Sequence, residues 1–326
     1  ELCQKVAAEM RLPAQEIDDI RVAALMLDLG KIEVTTRLVS RAVDNLESAP
    51  APSEQHSFHG IDLVQSLLSH PLDDAYYRDR APDWSQVKVP FLSAANWGGV
   101  GLHPRGNFEG FMRAASAQKW LEVHGSTHWA HFYSRYGEAL QKRFFAHFLK
   151  GEANGWERQP RVQLQVRYPG EKFVERHEHE WPLARTQWTR FHLDPAGMRL
   201  SPIEPATRER LTYDPLGDGL TFLTPPLAQE MEITGPVAAK LWLSSASSDA
   251  DLFLVLRVFD PDGREVVFSG TVDPHTPVGQ GWLRASHRKL DPKLSRPYRP
   301  YHSHDERQPL TPGEIVALDI EIWPTG

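Results

Sequence analysis

The sequence predicts an α/β segment followed by an all-β domain, with a short helical segment ahead of both. From Val87 to Lys150 an apolar strand, a helix-like stretch, a second apolar strand and a long amphipathic stretch follow one another. A β-α-β-α run of this kind builds a parallel sheet with right-handed crossovers. From Pro160 to Trp323 the chain turns to short strands separated by turns, which reads as an all-β domain.

The 326 residues are too many for one ordinary domain and suit two or three. Ten Trp, fourteen Phe and 40% hydrophobic residues suffice for real cores. A net charge of −7 without a long basic run argues against a nucleic-acid partner, because phosphate contacts need clustered Lys and Arg. Cys3 is the single cysteine, so no intrachain disulfide can form and nothing points to an oxidising compartment. No apolar run reaches the roughly 18 residues of a membrane span, and the first residues lack a signal-like apolar region. The expectation is a cytoplasmic chain with no membrane partner, for which homo-oligomerisation stays open.

Taken in order, residues 4–11 and 16–29 read as two helices around Leu12-Pro13, with an apolar face from Ile17, Ile20, Leu25 and Leu27 and a stop at Gly30-Lys31. Residues 46–56 have the Pro, Ser and Ala content of a linker. The first core strand runs Val-Lys-Val-Pro-Phe-Leu-Ser-Ala-Ala into the turn Asn96-Trp97-Gly98-Gly99, and a crossover helix is expected around Phe108–Ala117. The second strand, Trp120–His124, runs straight into Gly125-Ser126-Thr127-His128, so His128 lies just past the carboxyl end of a strand. In open α/β sheets ligands and catalytic groups collect at that edge. In Tyr133–Lys150 the residues Tyr136, Leu140, Phe144 and Phe148 recur every four, Phe145 and Leu149 widen the stripe, and Lys150-Gly151 supplies a basic last turn and a C′ glycine.

The β region reads as an alternating strand over 160–168, then strands at Phe191-His-Leu, Leu220-Thr-Phe-Leu, 237–243, 252–259, 265–268 and 315–322. Asp260-Pro-Asp-Gly263 is a hairpin turn; its aspartates lack the distal Glu spacing of an EF-type calcium loop.

Two resemblances bear on function. The run HPLDDAYYRDRAPDWSQVKVPFLSAANWGGVGLHPRGNFEGF, with KWLEVHGSTHW and LQKRFFAHFLKG, resembles the C-terminal part of the catalytic domain in the cocaine esterase and X-Pro dipeptidyl-peptidase family of α/β-hydrolases. ITGPVAAKLWLSSASSDADLFLVLRVFDPDGRE, GWLRASHRKLD and RPYRPYHSHDERQPLTPGE resemble that family's C-terminal jelly-roll β-sandwich. The resemblance implies a partial α/β-hydrolase domain over 69–155 and a jelly-roll over 156–326 that lacks its last strands and leaves an edge exposed. It also implies that Arg284-Ala-Ser-His-Arg288 packs against the catalytic domain. Residues 1–68 are a different matter: IRVAALMLDLGKIEV, with His56 and Gly60, resembles the HD-GYP metal-dependent phosphohydrolases. Leu27 stands where the histidine of the metal-binding His-Asp pair belongs, and leucine cannot coordinate a divalent metal. The expectation is a degenerate fragment that holds no metal, with Asp28 and His56 as surface groups, joined near Ser69 to the hydrolase part by a fusion.

A serine hydrolase needs a nucleophile on a strained elbow, a histidine base, a carboxylate to hold that base, and N–H groups for the oxyanion. The elbow pattern G-x-S-x-G occurs nowhere in the sequence. His128 matches the family's triad histidine in its strand-Gly-x-x-His arrangement and is the one catalytic candidate. The family's triad acid falls on Gly99, so either Glu109, Asp74 or another carboxylate serves, or the acid is missing. No cofactor is implied. The reading is a partial serine hydrolase acting on a small-molecule ester or peptide through an acyl-enzyme; the competing reading is a non-catalytic binding module using a jelly-roll face, which exposed aromatics on that face would favour.

Overall fold

The computed structural model describes residues 63–326, apart from residues 128, 132 and 272. The chain divides into two units, Glu1–Ser66 and Leu67–Gly326, and the sheets and the candidate site belong to the second. The helices expected before Gly30, the linker, Leu27, Asp28 and His56 lie outside the described residues.

Two short helices, α1 (Leu63–Ser69) and α2 (Ala75–Arg78), precede the sheet. The first sheet has the order β1-β2-β3-β4, from β1 (Phe91–Asn96), β2 (Lys119–His124), β3 (Val162–Tyr168) and β4 (Lys172–Glu178). β1 and β2 run parallel in the register Phe91↔Lys119 to Asn96↔His124; β3 is parallel to β2, and β4 antiparallel to β3. The strand over 160–168, grouped with the all-β domain on its alternation, therefore extends the α/β sheet. Alternation fixes which side chains share a face, not which sheet a strand joins, and here Val162 and Leu164 enter the core with Ala95, Leu121 and Val123.

Helix α3 (Pro104–Arg113) makes the crossover, earlier than the expected 108–117. Pro104 in the first turn presets a helical φ, and the helix ends at Ala114, where ψ is 137°. Helix α4 (Arg135–Lys150) behaves as its caps dictate: the Ser134 hydroxyl accepts the Gly137 N–H, and Gly151 closes the helix at φ 71°. Leu140 and Phe144 pack on Trp156, with Trp120, Tyr136 and Phe148 beside them. Each such side chain contributes about 1.5–3 kcal/mol on full burial. Phe145 and Leu149, expected to widen the stripe, are exposed instead, since Trp120 and Trp156 cover only the four-residue row.

The β domain pairs β5 (His192–Asp194) with β6 (Arg199–Ser201), β7 (Gly235–Leu243) with β12 (Val316–Thr325), β8 (Asp251–Leu256) with β11 (Gly279–Arg284), and β9 (Val258–Phe259) with β10 (Glu265–Val266), all antiparallel. Leu283, Ala285, Leu318 and Ile320 form its core with Leu241, Leu252 and Leu254. The Asp260–Gly263 turn joins β9 to β10, with the Asp260 carboxylate accepting the N–H groups of Asp262 and Arg264 and Gly263 at φ 77°. Leu220-Thr-Phe-Leu makes only a single bridge, between Leu223 and Arg199.

Candidate active site at the carboxyl edge of the parallel strands

β1 ends at Asn96 beside its register partner His124, and there the chain leaves β2 for the loop that carries His128. Ser126 turns that loop with φ 61°. The Asn96 side-chain amide donates toward the carbonyls of His124 (3.2 Å), Gly125 (3.1 Å) and Ser126 (2.9 Å). From β3 the Gln165 side-chain Oε1 accepts the Gly125 N–H at 3.1 Å, and its Nε2 lies 3.0 Å from Nε2 of His131. Two amide side chains thus hold the loop near its start and its end. His128 itself lies outside the described residues.

Strand alternation places Glu122 and His124 on one face of β2, and the first turn of α4 covers them. The His124 Nδ1 and Glu122 Oε2 atoms are 2.9 Å apart, with both side chains only 3% exposed. Gln163 donates to the Tyr136 hydroxyl at 2.6 Å, which in turn reaches Glu122 at 3.5 Å. Burial pushes the Glu122 carboxyl up, against the lowering effect of His124. Burial likewise raises the Tyr136 hydroxyl, and burial together with the charge of His124 pushes His131 down to about 4. This pair has the components of an acid and a base, but both side chains are shielded from solvent.

The acid positions resolve plainly. Gly99 sits in the turn after β1, its N–H bonded to the Asn96 carbonyl, and brings no carboxylate. Glu109 is buried in an ion pair with Arg299, with Arg113 at 3.7 Å. Asp74 caps α2 through the Tyr76 N–H and pairs with His70 at 2.7 Å, and that imidazole lowers its pKa. Both carboxylates are committed elsewhere. Among the described residues no cluster of three or more His, Cys, Asp or Glu is arranged for a metal. Sequence reasoning missed Asn96, Gln165 and the Glu122 pair; Glu-x-His within a short strand was a readable signal for the pair alone.

The β domain closes on this edge. The Thr271 N–H donates to the Gly98 carbonyl at 3.0 Å, and a Cβ on Gly98 would lie 2.7 Å from the Ser269 carbonyl oxygen, so the approach needs a glycine. Arg167 of β3 reaches into the β domain to the carbonyls of Gly326 (2.8 Å) and Val278 (3.0 Å) and the Thr325 hydroxyl; burial lowers its pKa to about 10. Arg284-Ala-Ser-His-Arg288, expected to pack on the catalytic part, makes its described polar contacts within the β domain: Arg284 with Asp251 at 2.7 Å, Ser286 with Asp249 at 2.6 Å, and Arg288 with the Gln308 carbonyl.

The described fold has counterparts of known structure. A CocE/NonD family hydrolase from Staphylococcus aureus is 35% identical, with a TM-score of 0.78 over 81% of this chain and 49% of its own. An α-amino acid ester hydrolase, 18% identical with a TM-score of 0.54, shares the fold. The cocaine esterase of a Rhodococcus strain is 28% identical over 165 residues, and a Mycobacterium bovis protein named "Putative serine esterase" is 38% identical over 111. The chain covers 28% and 16% of those two relatives' lengths. Its class is therefore a portion of a CocE/NonD-type hydrolase fold. The X-Pro dipeptidyl-peptidase C-terminal non-catalytic domain matches residues 154–326, and the chain belongs to the family which that domain defines.

Proposed function

We propose that this chain forms part of a serine hydrolase that cleaves small esters or amide and peptide bonds through an acyl-enzyme. His128 acts as general base, and the nucleophile elbow comes from polypeptide outside these residues. The observation that carries the reading is the loop 125–131, fastened by Asn96 and Gln165 at the carboxyl edge where such a base belongs. In this reading the imidazole takes the serine proton as the hydroxyl attacks the carbonyl, then returns it to the leaving group. One oxyanion donor normally follows the nucleophile, so the chain alone lacks that donor as well. No nucleic acid or cofactor takes part, and the protein works in the cytoplasm; among the described residues no helix is long and apolar enough to cross a membrane.

Incubation of the chain with an activated ester and a fluorophosphonate tests this. No burst and no covalent label are expected, since the triad's share of the rate disappears with its serine. A single labelled serine whose labelling fell on His128→Ala would reveal a nucleophile within the chain and overturn the reading.

A second reading, a non-catalytic binding module, draws on one observation. Phe253 and Trp282 face each other in register on the outer side of β8 and β11, 77% and 42% exposed. Binding of a ligand at this face, abolished by Phe253→Ala with the fold intact, would favour it over hydrolysis.

A further inference from the structure

Where the β domain meets the segment leading into α2, three histidines gather. His304 has φ 50°, in the left-handed region, and its carbonyl accepts the Asp73 N–H at 2.8 Å. Its Nδ1 lies 3.1 Å from Nδ1 of His287, which ends the short 3-10 turn after β11 (Ala285–His287). The His302 ring centroid is 5.8 Å from that of His304, and its buried Nε2 has no hydrogen-bond partner among the described residues. The loop is otherwise pinned to the β domain by the Ser303 N–H on the Lys289 carbonyl (3.0 Å) and by Lys289 on Asp305 (2.8 Å).

Two Nδ1 atoms at this distance share one proton: one ring donates its N–H and the other accepts. With both rings protonated each nitrogen is a donor, and the contact becomes a repulsion between cations. The surrounding charges do not remove that repulsion. Arg284 and Arg307 face His287, and Arg105 of α3 faces His302 and His304. Asp249 and Asp251 face His287, Asp73 and Asp305 face His304, and Asp319 faces His302. Of these, Asp251 is occupied by Arg284, Asp305 by Lys289 and Asp319 by Lys240.

We propose that the His287–His304 contact is a pH-sensitive latch that holds Asp73, and with it the start of α2, against the β domain while the rings share a proton, and releases it when both are protonated. Burial, foremost, and then neighbouring positive charges hold the folded values of all three histidines below the ordinary one, with His302 down to about 4. A histidine lowered in the folded state favours the closed form above its ordinary value of about 6.5, and that advantage is lost as pH falls through the folded value. The latch is closed at neutral pH and opens on acidification. On the held segment itself, Asp74 is paired with His70 at 2.7 Å.

Amide hydrogen exchange of the full chain at about pH 7.5 and about pH 5, corrected for intrinsic rates, tests the latch. Protection of the Asp73 amide should fall by about tenfold or more on acidification while the β12 core amides keep theirs. His304→Asn, which tolerates the left-handed backbone, and independently His287→Gln should each reduce that fall to about twofold or less. The latch is ruled out if wild-type Asp73 keeps its protection at the lower pH, or if both variants retain the full fall.

Discussion

Arg299 reaches out of the β domain and closes an ion pair with Glu109, near the middle of α3, where both side chains are buried. The guanidinium also donates to the Leu294 carbonyl at 3.1 Å. One turn earlier the polarity is reversed: Arg105 on α3 bonds Glu321 on β12 at 2.7 Å. The helix and the β domain therefore exchange charges in both directions, which fixes their register as well as their contact.

Breaking the Glu109 pair leaves a buried charge alone. Glu109→Ala should cost about 3–5 kcal/mol in urea unfolding, and the double variant Glu109→Ala/Arg299→Ala distinctly less than the sum of the singles. Single-variant losses below about 1 kcal/mol would show that the pair is exposed in solution.

Asn96→Ala removes the donor that the carbonyls of His124, Gly125 and Ser126 share. A loss of about 1–3 kcal/mol is expected, because the Gly125 and Ser126 carbonyls lose this donor while the His124 carbonyl keeps the Trp97 N–H at 2.9 Å. Gln165→Leu should cost less, since it frees one N–H and one half-exposed ring. Thermal unfolding of both variants ranks them; the reverse order would mean that the loop is held chiefly from β3.

These dependencies explain what the sequence could and could not disclose. The β1-α3-β2-α4 order, the Gly151 cap and the Asp260–Gly263 turn rest on local chemistry within a few residues, and each was legible. Asn96 finds its acceptors about thirty residues along the chain, and Arg299 finds Glu109 across 190. No periodicity encodes such partners. The sheet that 160–168 joins was hidden for the same reason, and the strand ending at His124 was readable while the side chains that hold the loop after it were not.

His131 should titrate near 4, well below an ordinary histidine, because burial and the neighbouring His124 disfavour its charge. A lowered histidine lends stability that is present above about 6.5 and is lost as pH falls through the folded value. His131→Gln should therefore flatten the slope of stability against pH between about 6.5 and about 4. Urea midpoints across that range read it directly, and an imidazole resonance titrating near 6.5 would refute the assignment.

Gly281 lies in β11 where the backbone of β12 passes closest. A Cβ there would stand 2.1 Å from the Glu321 carbonyl oxygen and 2.8 Å from the Ile322 Cα, both main-chain atoms that no side-chain rotation can move aside. β12 cannot retreat freely, because it is paired to β7 from Val316 to Ile322. Gly281→Ala should therefore destabilise by about 3 kcal/mol or more, at or beyond the upper end of ordinary overpacking. Gly313→Ala supplies one control: it meets nothing within 4 Å but has φ 82°, so only backbone strain of about 1 kcal/mol is expected. Gly106→Ala, in α3 with open space around it, supplies the other and should stabilise by up to about 1 kcal/mol through helix propensity. Thermal unfolding of the three variants should rank them Gly106→Ala, Gly313→Ala, Gly281→Ala from most to least stable. A Gly281→Ala protein as stable as Gly313→Ala would show that β11 and β12 can part without cost.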